Sequence, residues 1–183
     1  MRIIAGLAKG RRLARPVEGT RPFTDRNREA LFSSLGDVVA RAAVLDLFAG
    51  TGSLGLEALS RGASSAVFVE WNPPAVVVLR ENVGKVGLGG TVVSTNVVDF
   101  VTGSGDTFDL VFVDPPYELP LASVQEVLEL SVDLLNPNAV VVLHRRAGDA
   151  DPVIPDALEL TWQRQYGDAQ IWRFTMKAEE AER

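Results

Sequence analysis

The residues best suited to chemistry in this sequence lie in the stretch 110–117, which reads LVFVDPPY. Four apolar residues typical of a buried strand lead directly into Asp114, Pro115, Pro116 and Tyr117. Because a plain turn would use Gly, Asn or a single Pro, two successive prolines predict a backbone held rigid for a purpose. The Asp114 carboxylate and the Pro115 carbonyl can accept the two N–H groups of an exocyclic nucleobase amine, and the Tyr117 ring can stack on that base. These four residues are therefore the candidate catalytic set.

A second chemical signature is the segment 45–59, LDLFAGTGSLGLEAL, in which Gly50, Gly52 and Gly55 match G-x-G-x-x-G. Glycines in this pattern let the backbone and a helix N-terminus approach a ligand closely. Glu70 follows Gly50 by 20 residues, at the end of the next predicted strand, where a carboxylate can bind both hydroxyls of a ribose. These features alone fit NAD, FAD and S-adenosylmethionine equally well.

Asp46, inside the first predicted strand, favours S-adenosylmethionine. An acid at this point suits a ligand with an ammonium and a sulfonium group, whereas it would repel a pyrophosphate. We therefore predict S-adenosylmethionine as cofactor, S-adenosylhomocysteine as its product, and no metal. Asn96 and Val97, after the third strand, are expected near the adenine, with Asn96 accepting a hydrogen bond from its amino group. The predicted cofactor-binding residues are Asp46, Phe48, Gly50, Thr51, Gly52, Glu70, Trp71, Asn96 and Val97.

The composition excludes several kinds of site. With no cysteine the chain has no disulfide, no Cys-ligated zinc and no thiol nucleophile for methylation at a ring carbon. His144 is the single histidine, which excludes a multi-histidine metal site, and we expect it to pack in the core or at its rim. No apolar run approaches the roughly 18 residues needed to span a bilayer, and the start lacks the apolar segment of a secretory signal. The sequence therefore predicts a cytoplasmic protein without a membrane segment.

Charge is distributed unevenly along the chain. Residues 1–28 hold eight basic and two acidic side chains, and the remaining 155 hold ten basic and 22 acidic ones. A basic arm on an acidic body predicts phosphate contacts by the arm; the alternative is a basic tail that only favours solubility. The segment's basic side chains are Arg2, Lys9, Arg11, Arg12, Arg15, Arg21, Arg26 and Arg28.

An alternation of strands and helices is needed to position these residues. Strands that are apolar almost throughout, separated by amphipathic segments, predict a parallel sheet covered on both faces. The first and fourth strands should be neighbours in it, so that Asp114 faces the ligand bound by the glycine loop. The predicted strands are 43–48, 66–70, 91–95, 109–113, 139–143, 157–165 and 169–176, the last two forming a hairpin, and the predicted helices are 53–61, 73–85, 97–101 and 121–135.

The N-terminal forty residues are predicted to form a separate element. Ile3 to Ala5 and Arg12 to Ala14 can pair as a small hairpin, and Thr24 is a plausible N-cap for a helix that follows. The predicted organisation is a basic RNA-binding extension over residues 1–40, a methyltransferase domain over 41–177 and a polar tail over 178–183.

Five segments together resemble the bacterial 16S ribosomal RNA guanine-N2 methyltransferases of the RsmD type: RIIAG…KGRRL, GTRPFTDRNREALFSSL, LDLFAGTGSLGLEALSRGA, FDLVFVDPPY and YGDAQIWRF. The similarity runs from residue 2 to about residue 174. It implies a Rossmann-like class I methyltransferase fold, with a seven-stranded, mostly parallel sheet, an antiparallel C-terminal hairpin and a small N-terminal hairpin-and-helix extension. It also implies a substrate, the N2 amine of one guanine in 16S rRNA, presented in the small ribosomal subunit or an assembly intermediate. The resemblance further implies that the basic residues of the N-terminal segment, together with Thr24, contact this RNA. We expect a monomer.

The sequence departs from the family pattern at a few positions, and other functions remain open. Phe23 stands where Thr is common, Asn96 where Asp is common, and residues 144–146 read His-Arg-Arg where an acid-containing stretch is frequent. Arg145 and Arg146 are expected to extend the RNA surface. The rival enzyme is a DNA adenine-N6 or cytosine-N4 methyltransferase, which shares the Asp-Pro-Pro-Tyr motif but would need a target-recognition domain. The other rivals are a catalytically idle RNA-binding assembly factor and, more distantly, a nicotinamide oxidoreductase.

Overall fold

The computed structural model describes residues 1–15 and 24–178. Expectations for residues 16–23, among them the RNA contact of Arg21, and for the tail from 179 onward lie outside this range. The described strands are β1 (Ala43–Leu47), β2 (Ser65–Glu70), β3 (Thr91–Ser94), β4 (Phe108–Val113), β5 (Leu135–Arg146), β6 (Leu158–Tyr166) and β7 (Ala169–Met176). The α-helices are α1 (Asp25–Leu35), α2 (Ser53–Ser60), α3 (Pro73–Val86), α4 (Val97–Gly103) and α5 (Leu121–Ser131).

The strands form one seven-stranded sheet in the order β3-β2-β1-β4-β5-β7-β6. Neighbouring strands are parallel from β3 to β5, and β7 runs antiparallel to both β5 and β6. The predicted Rossmann-like α/β class and the C-terminal hairpin are therefore confirmed. β1 and β4 pair with Leu47 opposite Val113, so the segments that follow them leave the same edge of the sheet.

The fifth helix and fifth strand are the elements whose predicted bounds differ most from the structure. α5 ends at Ser131 and is followed by a 3₁₀ turn, Val132–Leu134, and β5 already begins at Leu135. Strand pairing accounts for part of the difference, since Leu135 pairs with Phe108 of β4 and so has extended instead of helical backbone. The predicted helix, which extended to residue 135, is therefore too long.

The core lies in two layers, one on each face of the sheet. Side chains alternate along each strand, so that Val44 and Leu110 enter one layer while Leu45 and Val111 enter the other. The N-terminal segment contributes to the first layer through these buried residues: Ile3, Ala8, Leu13, Leu31, Phe32 and Leu35. The N-terminal segment thus helps to cover the same sheet face as α2 and α3.

The N-terminal hairpin is shorter than predicted. Its one bridge joins Arg2 and Arg12 in antiparallel fashion, with hydrogen bonds from the Ile3 N–H to the Arg11 carbonyl (2.9 Å) and from the Gly10 N–H to the Ile3 carbonyl (2.9 Å). Thr24 caps α1, since its hydroxyl accepts from the Asn27 N–H at 3.1 Å. Over residues 1–15 and 24–178, no helix is both long enough and apolar enough to cross a membrane.

Candidate active site

The loop after β1 has the backbone of a ligand-binding turn. Phe48, Gly50 and Gly52 all have positive φ, at 61°, 55° and 76°. Such a φ is uncommon for a bulky residue like Phe48 and persists only where the surroundings enforce it. One restraint is visible, because the Gly50 N–H donates to a carboxylate oxygen of Glu70 at 2.9 Å. The loop is thus tied to the end of β2.

Asp46 is buried beneath this loop, with 1% of its surface exposed. One carboxylate oxygen accepts from the Gly55 N–H at 2.9 Å. Burial raises the pKa of Asp46 well above its usual range, the Gly55 hydrogen bond opposes this, and the charges of Asp114 and Glu70 raise the pKa further. Three carboxylates therefore converge on one small region, which is an environment that favours a cationic ligand.

The third glycine of the pattern serves packing. A Cβ at Gly55 would lie 2.4 Å from the Cε1 atom of Phe68, which is closer than side chains can approach. Gly55 therefore lets α2 lie against β2, while the positive φ of Gly50 and Gly52 shapes the loop. The G-x-G-x-x-G pattern therefore contains glycines with two different roles, loop conformation for Gly50 and Gly52 and helix packing for Gly55.

The remaining predicted cofactor residues follow β2 and β3. Each Glu70 carboxylate oxygen accepts from a backbone N–H, that of Gly50 and that of Asn72 (2.8 Å). Trp71 is 62% exposed beside it, as a ring available to a ligand would be. Asn96 caps α4, its side-chain oxygen accepting from the Val98 N–H at 2.8 Å, which leaves one lone pair for an adenine amine. Two further predicted residues, Thr51 and Val97, have buried side chains.

Asp114 and Tyr117 are joined by a third side chain, His144. The His144 Nδ1 lies 2.6 Å from the Asp114 Oδ1, and its Nε2 lies 3.2 Å from the Tyr117 hydroxyl. His144 is 6% exposed, as expected of a core or rim residue, but packing alone was an incomplete interpretation. Its position at the end of β5, next to β4, could not be derived from sequence spacing.

Arg145 holds the backbone of the Asp-Pro-Pro-Tyr loop. Its guanidinium donates to the carbonyls of Pro116 (3.0 Å), Tyr117 (3.2 Å) and Leu119 (3.2 Å), and it pairs with Asp149 at 3.1 Å. Because Arg145 is buried, the expectation that it extends an RNA surface is wrong. The rigidity predicted from the two prolines thus has a second source.

The loop also presents one buried and one accessible proline. Pro115 is buried, and Pro116 is exposed.

Arg146 is exposed, and its guanidinium lies 5.1 Å from the centroid of the half-buried Tyr117 ring. The aromatic ring predicted to stack on a base is therefore accessible and already bears a cation on one face.

Most of the predicted RNA contacts are exposed on the N-terminal segment. A cavity of about 260 Å³ between the hairpin and α1 is lined by Arg2, Lys9 and Arg26 together with two acids, Asp25 and Glu29. Arg11 is exposed, but its guanidinium donates to the carbonyls of Lys85 and Val86 at the end of α3. The other exposed residues of the predicted set are Arg12, Arg15 and Thr24.

The structure contradicts the prediction for Arg28. This side chain is 0% exposed, and it donates to Asp25 (2.8 Å) and to the Arg2 carbonyl (2.6 Å). Burial lowers the pKa of Arg28, opposed by the charges of Asp25 and Glu57. Arg28 therefore holds the hairpin against α1 instead of meeting a phosphate, a role that its position in a basic segment did not indicate.

Two buried polar residues that we had not predicted fasten the N-terminal segment to the helices that cover the sheet. Glu57 in α2 accepts from the N–H groups of Ile4 (2.8 Å) and Ala5 (3.1 Å). Asn82 in α3 accepts from the Ala14 N–H (2.7 Å) and donates to the Thr51 carbonyl in the glycine loop (2.9 Å). The sequence signal that could have indicated such a role is Glu57 itself, a single acid within the mostly apolar helix α2.

Comparison with known proteins establishes the family. The family model described as "Conserved hypothetical protein 95" matches residues 1–175. Ribosomal RNA small subunit methyltransferase D of Escherichia coli K12 is 37% identical over 163 residues, covering 85% of this chain and 79% of that protein. The chain belongs to this methyltransferase D family. The same-named protein of Haemophilus influenzae is 38% identical over 149 residues, covering 77% of this chain and 76% of its own.

A solved structure supports the same relation. The structure of a putative methyltransferase, yhhF of Escherichia coli, superposes with a TM-score of 0.86 at 34% identity, covering 97% of this chain and 98% of that one. The RsmD-type resemblance and the methyltransferase fold are therefore confirmed for nearly the whole chain.

Proposed function

We propose that the chain is an S-adenosylmethionine-dependent methyltransferase acting on the exocyclic N2 amine of a guanine in 16S ribosomal RNA. The observation that carries the proposal is the position of two acids on neighbouring strands, since Asp46 of β1 lies opposite Phe112 of β4, two residues before Asp114. Asp46 in β1 and Asp114 after β4 lie close enough that the charge of Asp114 raises the pKa of Asp46. A carboxylate suited to a cationic donor thus adjoins one suited to an amine acceptor, as in-line methyl transfer requires.

The residues around the glycine loop fit S-adenosylmethionine better than a pyrophosphate cofactor. The ammonium and sulfonium groups would relieve the repulsion among Asp46, Glu70 and Asp114, whereas a pyrophosphate would add to it. Glu70 would hold the ribose hydroxyls, and Trp71 and Asn96 would border the adenine. When bound, this cofactor supplies an electrophilic methyl group and leaves as S-adenosylhomocysteine.

The Asp-Pro-Pro-Tyr loop would prepare the guanine amine for attack. The amine lone pair is delocalised into the ring, so the planar nitrogen is a poor nucleophile. Hydrogen bonds from its two N–H groups to Asp114 and the Pro115 carbonyl would favour a tetrahedral nitrogen with its lone pair aimed at the methyl group. The guanine nitrogen would accept the methyl group that the cofactor supplies, the electrons of the C–S bond would stay on sulfur, and Asp114 or water would take the proton that the methylated amine loses.

The N-terminal extension, residues 1–40, would hold the RNA against the methyltransferase domain of residues 41–177. Its exposed basic side chains, such as Lys9 and Arg12, would contact phosphates. Phosphate contacts position a nucleic acid without reading its sequence. The acidic body would repel RNA elsewhere and so orient it. We further propose that a monomer acts in the cytoplasm on the small subunit or an assembly intermediate.

Labelled methyl transfer tests this proposal. Purified protein and tritiated S-adenosylmethionine are incubated with small subunits from a strain lacking the enzyme, with naked 16S rRNA and with DNA. We expect label in 16S rRNA, recovered as N2-methylguanosine after digestion. Asp114→Ala should abolish transfer while retaining cofactor affinity, whereas Asp106→Ala, an exposed acid ahead of β4, should behave like the unmodified protein. Label in adenine or DNA, or none in rRNA, would overturn the substrate assignment.

A further inference from the structure

His144 contacts both polar side chains of the catalytic loop through its two ring nitrogens. Nδ1 lies 2.6 Å from the Asp114 Oδ1, and Nε2 lies 3.2 Å from the Tyr117 hydroxyl. The His144 and Tyr117 rings also touch, with centroids 5.6 Å apart. We infer that His144 is a positioning residue for the methyl-acceptor base, fixing the Asp114 carboxylate and the Tyr117 ring in one arrangement; the inference rests on the proposed function.

The hydrogen-bond chemistry selects one tautomer of His144. A carboxylate only accepts hydrogen bonds, so Nδ1 must carry the proton that it shares with Asp114. In neutral imidazole Nε2 is then an acceptor, and the Tyr117 hydroxyl donates to it. The chain of donors thus runs from Tyr117 through His144 to Asp114, and it is compatible with Asp114 acting as an acceptor toward substrate.

This chain divides the two Asp114 oxygens between protein and substrate. Asp114 follows the end of β4, and its side chain is 26% exposed, so its rotation is not fixed by packing alone. Holding Oδ1 sets the plane of the carboxylate and leaves Oδ2 for an N–H of the guanine amine. Anchoring the Tyr117 hydroxyl likewise sets the angle of the ring on which that guanine would stack.

The backbone of His144 is held well enough for such a role. β5 lies between β4 and β7, with Leu143 opposite Val113 and His144 opposite Ile171. The ring is 6% exposed, so water competes little for its hydrogen bonds. A supporting group on a central strand fixes its partners more closely than one on a loop.

Two substitutions can separate the two contacts. The side-chain amide of His144→Asn can stand in for Nδ1 toward Asp114, and that of His144→Gln can stand in for Nε2 toward Tyr117. We expect His144→Ala to lower kcat roughly 10- to 100-fold, the factor for a lost hydrogen bond to a charged group. His144→Asn should recover most of kcat. His144→Gln should keep the low kcat but recover the KM for the RNA acceptor.

The cofactor affinity and thermal midpoint of each variant serve as controls for folding, and both should stay near those of the unmodified protein. A His144→Ala variant with undiminished kcat, or equal losses in Asn and Gln variants that fold, would overturn the inference. If the unmodified protein failed to methylate guanine, the proposed function would fail instead.

A spectroscopic measurement needs no variant. Because the sequence has one histidine, ¹⁵N NMR of histidine-labelled protein reports directly which ring nitrogen of His144 carries a proton. We expect the proton on Nδ1. A proton on Nε2 would break the chain from Tyr117 to Asp114 and overturn the inference whatever the activity.

Discussion

Asp46 occupies a place in which an ionised carboxylate is unfavourable for the protein alone. It is buried, and its pKa is raised by that burial and by the charges of Asp114 and Glu70, against one opposing hydrogen bond from Gly55. When folding raises the pKa of an acid, the folded protein loses stability as the pH rises. The loss begins near the pKa of the unfolded state, about 3.9, and ends at the raised pKa of the folded state. A cationic ligand would reverse this preference by favouring the ionised form.

Asp46→Asn tests that electrostatic balance. The amide keeps an acceptor for the Gly55 N–H and carries no charge. As pH rises from about 4 to 8, the unmodified apoprotein should lose thermal stability relative to Asp46→Asn. Cofactor affinity should show the opposite trend, rising with pH in the unmodified protein and staying weak and flat in the variant. Thermal unfolding and calorimetric titration across this range measure both, and parallel profiles for the two proteins would contradict the account.

Single residues differ in how well the sequence revealed them. Asp46, Glu70 and Asp114 could be predicted to lie near one another, because each stands at a fixed offset from a strand or glycine pattern, and the structure does bring the three together. His144 and Arg28 were misjudged, because their roles depend on partners brought near by strand pairing and helix packing. Contacts made by strand pairing and by helix packing leave no periodic pattern in the sequence.

Helix α2 is the element that links the two halves of the proposed function. It begins at the glycine loop and receives the N-terminal segment through Glu57 and Ser60, whose hydroxyl accepts from the Ala8 N–H at 2.9 Å. The Leu7 N–H also donates to the Ser60 carbonyl at 2.8 Å. The elements proposed to contact RNA and cofactor are therefore both attached to α2.

Two glycines of the N-terminal segment offer a matched test of this docking. Gly6 (φ 79°) and Gly10 (φ 83°) have nearly the same backbone, but a Cβ at Gly6 would lie 1.7 Å from the Ser60 carbonyl oxygen, whereas none of the described atoms lies within 4 Å of one at Gly10. Gly10→Ala should cost about 1–2 kcal/mol, the penalty for left-handed backbone. Gly6→Ala should cost more and lower both thermal stability and RNA affinity. Equal effects of the two substitutions would mean that the docked arrangement does not matter.

At this scale the sequence predicted most of the fold. Strand and helix positions followed from hydrophobic patterning, and the adjacency of β1 and β4 followed from the topology of open parallel sheets. The docking of the N-terminal segment was not predictable, because its hydrogen bonds join backbone N–H groups to side chains 52 and 53 residues away. Such contacts depend on the assembled core.

For the whole molecule, the dominant feature is the contrast between a basic N-terminal segment and an acidic remainder. Residues 1–28 carry a net charge of +6 and residues 29–183 a net charge of −12. Part of the basic set is already engaged within the protein, since Arg28 is buried and the exposed Arg11 donates to a carbonyl at the end of α3. The charges left to meet RNA are therefore fewer than the sequence suggested.

Salt dependence measures how many of those charges act. The double substitution Lys9→Gln and Arg12→Gln neutralises two exposed basic side chains. It should reduce the slope of log affinity against log salt concentration by about one unit per charge. Arg164→Gln, an exposed base on the edge strand β6, is the control and should leave the slope unchanged. Filter binding to a 16S rRNA fragment supplies the affinities. An unchanged slope in the double variant would mean that RNA binds elsewhere on the molecule.

The most direct test of the central claim is the modified-nucleoside profile of 16S rRNA from cells with and without the gene. Deletion should remove one N2-methylguanosine, and complementation with the unmodified gene should restore it. Complementation with Asp114→Ala should not restore it, although the variant protein accumulates and binds cofactor. An unchanged N2-methylguanosine content after deletion, or full restoration by Asp114→Ala, would contradict the proposed reaction and the place of Asp114 in it.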